Sequence, residues 1–170
     1  MKTIQMIIPP RIGLVVLAIL VFLLTQQHPT AAFASGWVLP VKPPVQLEGI
    51  YRAPVTKYAA GHRGIDYRVK EGQQLLAPFD GEVYFLGQVA RKPVITLIHS
   101  GGYLTSYEPA CSTLGKGEAV KQKQVFASVC SSGYQSHCRV LCIHYGMRLG
   151  ENYLSPLSLA GALPPSHTIS

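Results

Sequence analysis

The chain has 170 residues, 48% apolar and 14% charged, with a formal charge of +7. That length and apolar content exclude a disordered chain and allow one domain with its own core. The basic residues are scattered and no aromatic-studded basic stripe is present, which argues against nucleic acid as a partner.

Lys2 and Arg11 precede an apolar run from Ile12 to Leu24, thirteen residues, too short to span a bilayer comfortably. Ala32-Phe33-Ala34 then supplies the small residues of a cleavage site. Residues 1–34 therefore read as a secretory signal peptide cleaved after Ala34. The alternative is an uncleaved N-terminal anchor, which is the one route by which this chain would meet a membrane. Either reading puts the folded part outside the cytoplasm, secreted or in the cell envelope. The leader holds two of the fifteen basic residues, leaving thirteen against eight acidic, a formal +5. Such a charge suits anionic wall polymers, or simply a solvated basic surface.

Residues 35–46 carry Pro40, Pro43 and Pro44 and read as a semi-rigid Pro-rich linker. Trp37 within it is open to two readings, docked or loose. From Val45 onward, short apolar runs alternate with turn signals. Glu82 to Leu86 follows Asp80-Gly81, a hairpin dipeptide. Val94 to Ile98 is rich in β-branched residues and ends at Gly101-Gly102, from which Tyr103 to Tyr107 returns. Val125, Ala127 and Val129 alternate onto one face, and Leu141 to Met147 is the last strong strand. Many short strands between glycine turns indicate an all-β sandwich or barrel.

Two elements carry metal-ligand chemistry. Gly61-His62-Arg63-Gly64-Ile65-Asp66 puts an imidazole and a carboxylate four residues apart. Its glycines oppose a helix, so a loop entering a strand is expected, with Ile65 toward the core and Asp66 away from it. Far downstream, Cys142-Ile143-His144-Tyr145-Gly146 supplies a second imidazole. Side chains alternate along a strand, so Cys142 and His144 share one face, and Ile143 and Tyr145 the other. His62, Asp66 and His144 with a fourth position open to water would describe a catalytic zinc site.

Tyr58-Ala-Ala-Gly-His-Arg-Gly-Ile-Asp-Tyr67 resembles the first zinc motif of the lysostaphin-type (LytM-like) zinc endopeptidases, which cut peptidoglycan cross-bridges. Ala77 to Val83 resembles that family's first hairpin turn and Ile98 to Tyr103 its second. Cys142-Ile143-His144 stands where the family has His-x-His, and Tyr153 to Leu157 resembles the closing segment. The likeness covers about residues 47–159, leaving 160–170 as a C-terminal tail. It implies a compact antiparallel β-sandwich with Zn2+ in a groove, and peptidoglycan peptides as substrate.

The family's two further histidines beside the zinc are missing. Cys142 replaces the first of His-x-His, and Tyr107-Glu108-Pro109 puts proline where Tyr-x-His is expected. Neither a thiol nor a proline ring copies an imidazole, the group whose pKa suits proton transfer near neutrality. The same two departures resemble variant members of the family, so they read as a subfamily trait. Three explanations compete. Glu108 is the candidate base, with Tyr107 as an oxyanion donor; Cys142 is a fourth zinc ligand; or Cys142 is locked in a disulfide. In the last case the domain binds wall peptides, or regulates other wall hydrolases, without cutting.

Four cysteines, Cys111, Cys130, Cys138 and Cys142, allow three pairings. A fully extended stretch from Cys138 to Cys142 would separate their Cα atoms by about 13 Å, so a disulfide there needs a turn through Arg139 and Val140. The pairing favoured is Cys138–Cys142 with Cys111–Cys130. His99, before a turn, is assigned a structural hydrogen bond. His137 is a lesser candidate for the missing imidazole, better read as an exposed loop residue.

Overall fold

β-Branched and aromatic runs cut by glycine and proline give short strands and, among the described residues, almost no helix. The structure, a computed structural model, describes residues 36–56, 58–130 and 136–160. The signal-peptide reading of residues 1–34 and residues 161–170 of the tail lie outside these. Within them, the strands are β1 (Leu47–Gly49), β2 (Gly64–Arg68), β3 (Gln74–Leu76), β4 (Gly81–Val89), β5 (Lys92–His99), β6 (Tyr103–Glu108), β7 (Ala110–Cys111), β8 (Ala119–Val120), β9 (Val125–Val129), β10 (Cys142–Leu149) and β11 (Asn152–Leu154).

All pairings are antiparallel. Eight strands make one sheet in the order β1-β2-β10-β6-β5-β4-β8, with β11 also on β10, and β3-β9-β7 make a smaller second sheet. One core cluster is shared between them. Ile65, Tyr67, Ile95, Leu97, Tyr107, Ile143 and Tyr145 of the large sheet pack with Leu75, Ala110, Phe126 and Val129 of the small one. This is the sandwich expected, with hydrophobic alternation deciding which face of each strand turns inward.

The chain changes sheets at Pro109. β6 ends at Glu108 and pairs with β5 and β10, whereas β7 begins at Ala110 and pairs with β9. Proline has no N–H for a ladder, which suits it to this corner.

Three local expectations are corrected. Asp80-Gly81 is not a hairpin turn, because β3 before it belongs to the other sheet. The hairpin turn lies at Ala90 and Arg91, both at positive φ (49° and 67°), between β4 and β5. Gly81 is instead required by close approach, since a Cβ there would sit 2.7 Å from His99 Nδ1. Val125 is exposed while Phe126 and Ala127 are both buried, because the β3–β9 register shifts between Leu75 and Leu76.

The third correction concerns the Pro-rich stretch. It does not behave as a free linker but lies on the domain. Val38 N–H donates to the Pro78 carbonyl (3.0 Å) and Leu76 N–H to that of Pro40 (2.8 Å). Val41 is buried, and Trp37 stacks on Phe79 at 5.5 Å and meets the His99 ring edge-on at 4.8 Å.

Candidate metal centre

Strand β10 runs through the middle of the large sheet, and the register on either side sets the site. His144 is opposite Asp66 on β2 and opposite Glu108 on β6. Because Ile65, Tyr67, Ile143 and Tyr145 fill the core, Asp66 and His144 project from the other face of the same two strands. Gly64 admits them. A Cβ at that position would lie 2.6 Å from His144 Nε2.

His62 arrives just before β2. Its backbone exchanges two hydrogen bonds with Arg52, each 2.9 Å, which fixes the approach of an otherwise irregular stretch. Its Nδ1 lies 2.6 Å from the Ile50 carbonyl oxygen, which can only accept. The neutral ring therefore carries its proton on Nδ1 and turns the Nε2 lone pair inward. That Nε2 lies 3.1 Å from Asp66 Oδ2 and 3.2 Å from His144 Nδ1. Asp66 Oδ1 in turn lies 2.8 Å from His144 Nδ1.

Acceptors this close repel unless something positive lies between them, a proton or a cation. Nitrogen and oxygen ligands about 2.0–2.2 Å from a tetrahedral ion are themselves roughly 3.4 Å apart. The spacing, the fixed tautomer and the mixed imidazole and carboxylate donors all fit a divalent ion. Burial by itself would raise the Asp66 pKa. Hydrogen bonds from His144 and His137, with the charges of His144 and His62, outweigh it and hold the carboxyl below its ordinary value.

His137 is the residue that sequence reasoning undervalued. Its Nε2 lies 3.0 Å from Asp66 Oδ2. His62, Asp66, His137 and His144 each present a ligand atom, and all four lie within 4.8 Å of one another. The cysteine pattern was the one available signal, because a turn that joins Cys138 to Cys142 also turns the residue before it.

The disulfides are Cys111–Cys130 and Cys138–Cys142, the latter with Cα atoms 6.1 Å apart. Cys142 is thus no fourth ligand, because its sulfur is bonded to another sulfur. Tyr107 does not reach the site either. It is fully buried on the core side, stacked on Tyr145, and its hydroxyl donates to Thr105 Oγ1 at 2.9 Å. That hydroxyl belongs to a closed chain. His99 Nδ1–H donates to the Asp80 carbonyl (3.0 Å), leaving Nε2 to accept from Thr105 (2.8 Å). His99 is therefore structural.

Glu108 lies outside the four-residue cluster but on the site's face of the sheet. It shares a groove of about 530 Å³ with Arg63, Phe85, Leu104, Ser106 and His144. Lys92 Nζ pairs with its carboxylate at 3.3 Å. On the other side of the cluster a second hollow is lined by Leu47, Arg52, His62, Asp66 and His137. The four residues thus stand where two open hollows meet.

The description "Peptidase family M23" belongs to the family model that matches residues 60–156. Rv2891 of Mycobacterium tuberculosis (strain H37Rv) is 32% identical over 133 residues, covering 76% of this chain and 52% of its own length. The chain spans about half the length of the mycobacterial relatives it matches. Among solved structures, a zinc containing peptidase from Vibrio cholerae superposes with a TM-score of 0.56 at 20% identity, covering 68% of this chain and 37% of that one. The catalytic domain of the antimicrobial peptidase lysostaphin from Staphylococcus simulans gives 0.54 at 17% identity, covering 66% of this chain and 89% of that one. At those identities the likeness is one of fold.

Proposed function

The chain belongs to peptidase family M23, and on that premise we propose that it is an exported zinc metallopeptidase that hydrolyses peptidoglycan peptides. The observation that carries this reading is the convergence of His62 Nε2, Asp66 and His144 Nδ1 within 2.8–3.2 Å beside an open groove. These three residues would hold the ion. When bound, zinc supplies Lewis-acid polarisation of a carbonyl and an acidified water.

The chain's own groups supply the rest. Glu108 lines the groove beside His144, with Lys92 Nζ 3.3 Å from its carboxylate, and would serve as the proton acceptor. Arg63 and Arg148 also line it and would attract the carboxylates of a wall peptide. Tyr84 and Phe85 offer apolar surface along the same groove. Two disulfides agree with an oxidising compartment outside the cytoplasm.

The test is incubation of the zinc-loaded protein with purified peptidoglycan. New peptide amines should appear, and both His62→Ala and Glu108→Gln should abolish them. A second reading has its own support. Cys142 is tied to Cys138, and Pro109 stands where an imidazole would help. On that reading the domain binds wall peptides, or regulates other wall hydrolases, without cutting. Full zinc occupancy with binding to peptidoglycan and no amine release would favour it.

A further inference from the structure

His137 sits on a short segment tied to itself. Cys138 is joined to Cys142 across four residues. Ser136 Oγ accepts the Cys138 N–H at 3.2 Å and donates to the Val140 carbonyl at 3.0 Å. Cys142 opens β10, whose ladder to β2 pairs it with Arg68, two residues from Asp66. The clasp is therefore anchored to the strands that carry Asp66 and His144.

The result is directional. The ring of His137 lies edge-on to those of His62 and His144, with centroids 6.4 and 6.0 Å away. Its Nε2 meets Asp66 in the second hollow, which Glu108 does not line. Three imidazole nitrogens and a carboxylate oxygen thus lie within 4.8 Å of one another, the number and kind of ligands that a closed site takes.

We propose that His137 is a fourth protein ligand, delivered by the Cys138–Cys142 clasp, so that one ion is held by three imidazoles and the Asp66 carboxylate. This rests on the zinc reading above. Its side chain is 44% exposed, so the ring can swing outward without disturbing the core. The zinc reading needs a fourth position open to water, which outward movement of the His137 ring would supply.

The competing role is a histidine that only hydrogen-bonds to Asp66. Either role would cost roughly 10–100-fold in metal affinity on substitution, so affinity alone does not separate them. Counting ligands does. X-ray absorption at the zinc edge, on the full chain with both disulfides intact, should show three imidazoles in the wild type and two in His137→Ala. The double variant Cys138→Ser/Cys142→Ser keeps the Cys111–Cys130 bond and should also show two. Two imidazoles in the wild type, unchanged in His137→Ala, would overturn the proposal while leaving the three-ligand site standing. Three imidazoles surviving in the double serine variant would overturn the role of the clasp. Failure of the full chain to bind zinc stoichiometrically would remove both the proposal and the reading beneath it.

Discussion

Asp66 and His144 face each other across an antiparallel pair of strands, with Asp66 Oδ1 2.8 Å from His144 Nδ1. The backbone ladder that makes β2 and β10 neighbours is thus the same structure that assembles the site. Tyr67 and Ile143, the next pair along the ladder, point into the core and lock the register.

On the zinc reading, that coupling would make the ion a stabiliser of the fold. An ion that binds only the native arrangement at about 100 times its Kd contributes roughly 2.7 kcal/mol, a rise in Tm of roughly 5–10 °C for a chain this size. Thermal melts with and without zinc should show that rise in the wild type. Asp66→Ala should lose it, because it removes the carboxylate shared by all three histidines.

Glu108 and Tyr107 are neighbours on β6 that point to opposite faces. Glu108→Gln removes the proposed proton acceptor and should lower kcat on peptidoglycan peptides by roughly 10²–10⁴-fold with zinc content unchanged. Tyr107→Phe should leave kcat within about threefold, and cost roughly 1 kcal/mol in urea melts through the lost bond to Thr105. Steady-state kinetics beside metal analysis separates the two.

Trp37 joins the Pro-rich stretch to the sheet through Phe79, His99 and Tyr103. Trp37→Ala leaves a cavity among those rings and should destabilise the domain by about 3–5 kcal/mol in urea melts. A loss below about 1 kcal/mol would mean that the stretch contributes little to folding.

His99 gives a pH dependence that owes nothing to the metal residues. Burial lowers its pKa below the ordinary 6.5, against the raising effect of hydrogen bonds to the Asp80 and Phe79 carbonyls. The unfolded chain then binds a proton that the folded one resists. Stability is full above about pH 6.5 and falls as pH drops from there toward the lowered folded value. Tm should therefore decline between pH 7.5 and 5. His99→Gln should have a lower Tm throughout but a flatter profile across that range.

How much of this was legible in the sequence follows from how local each signal is. His62, Asp66 and His144 each stand in a glycine-flanked motif, and alternation alone puts Asp66 and His144 on the face opposite Ile65 and Ile143. The sheets followed from turn spacing. His137 was not legible as a site residue, because its place depends on a disulfide closing a turn rather than on any period. Asp80-Gly81 misled for the opposite reason. The dipeptide suits a hairpin, but the chain crosses between sheets there, and Gly81 serves the close approach of His99. Tyr107 could not be placed without knowing which face of β6 is covered by Phe126.

The most direct test is an anomalous difference map from crystals of the zinc-loaded protein, with data collected on either side of the zinc absorption edge. The expected result is one strong peak about 2.0–2.2 Å from His62 Nε2, an Asp66 carboxylate oxygen and His144 Nδ1. A fully loaded protein whose zinc peak lies elsewhere, with those three side chains hydrogen-bonded only to one another, would contradict the metal centre and every reading built on it.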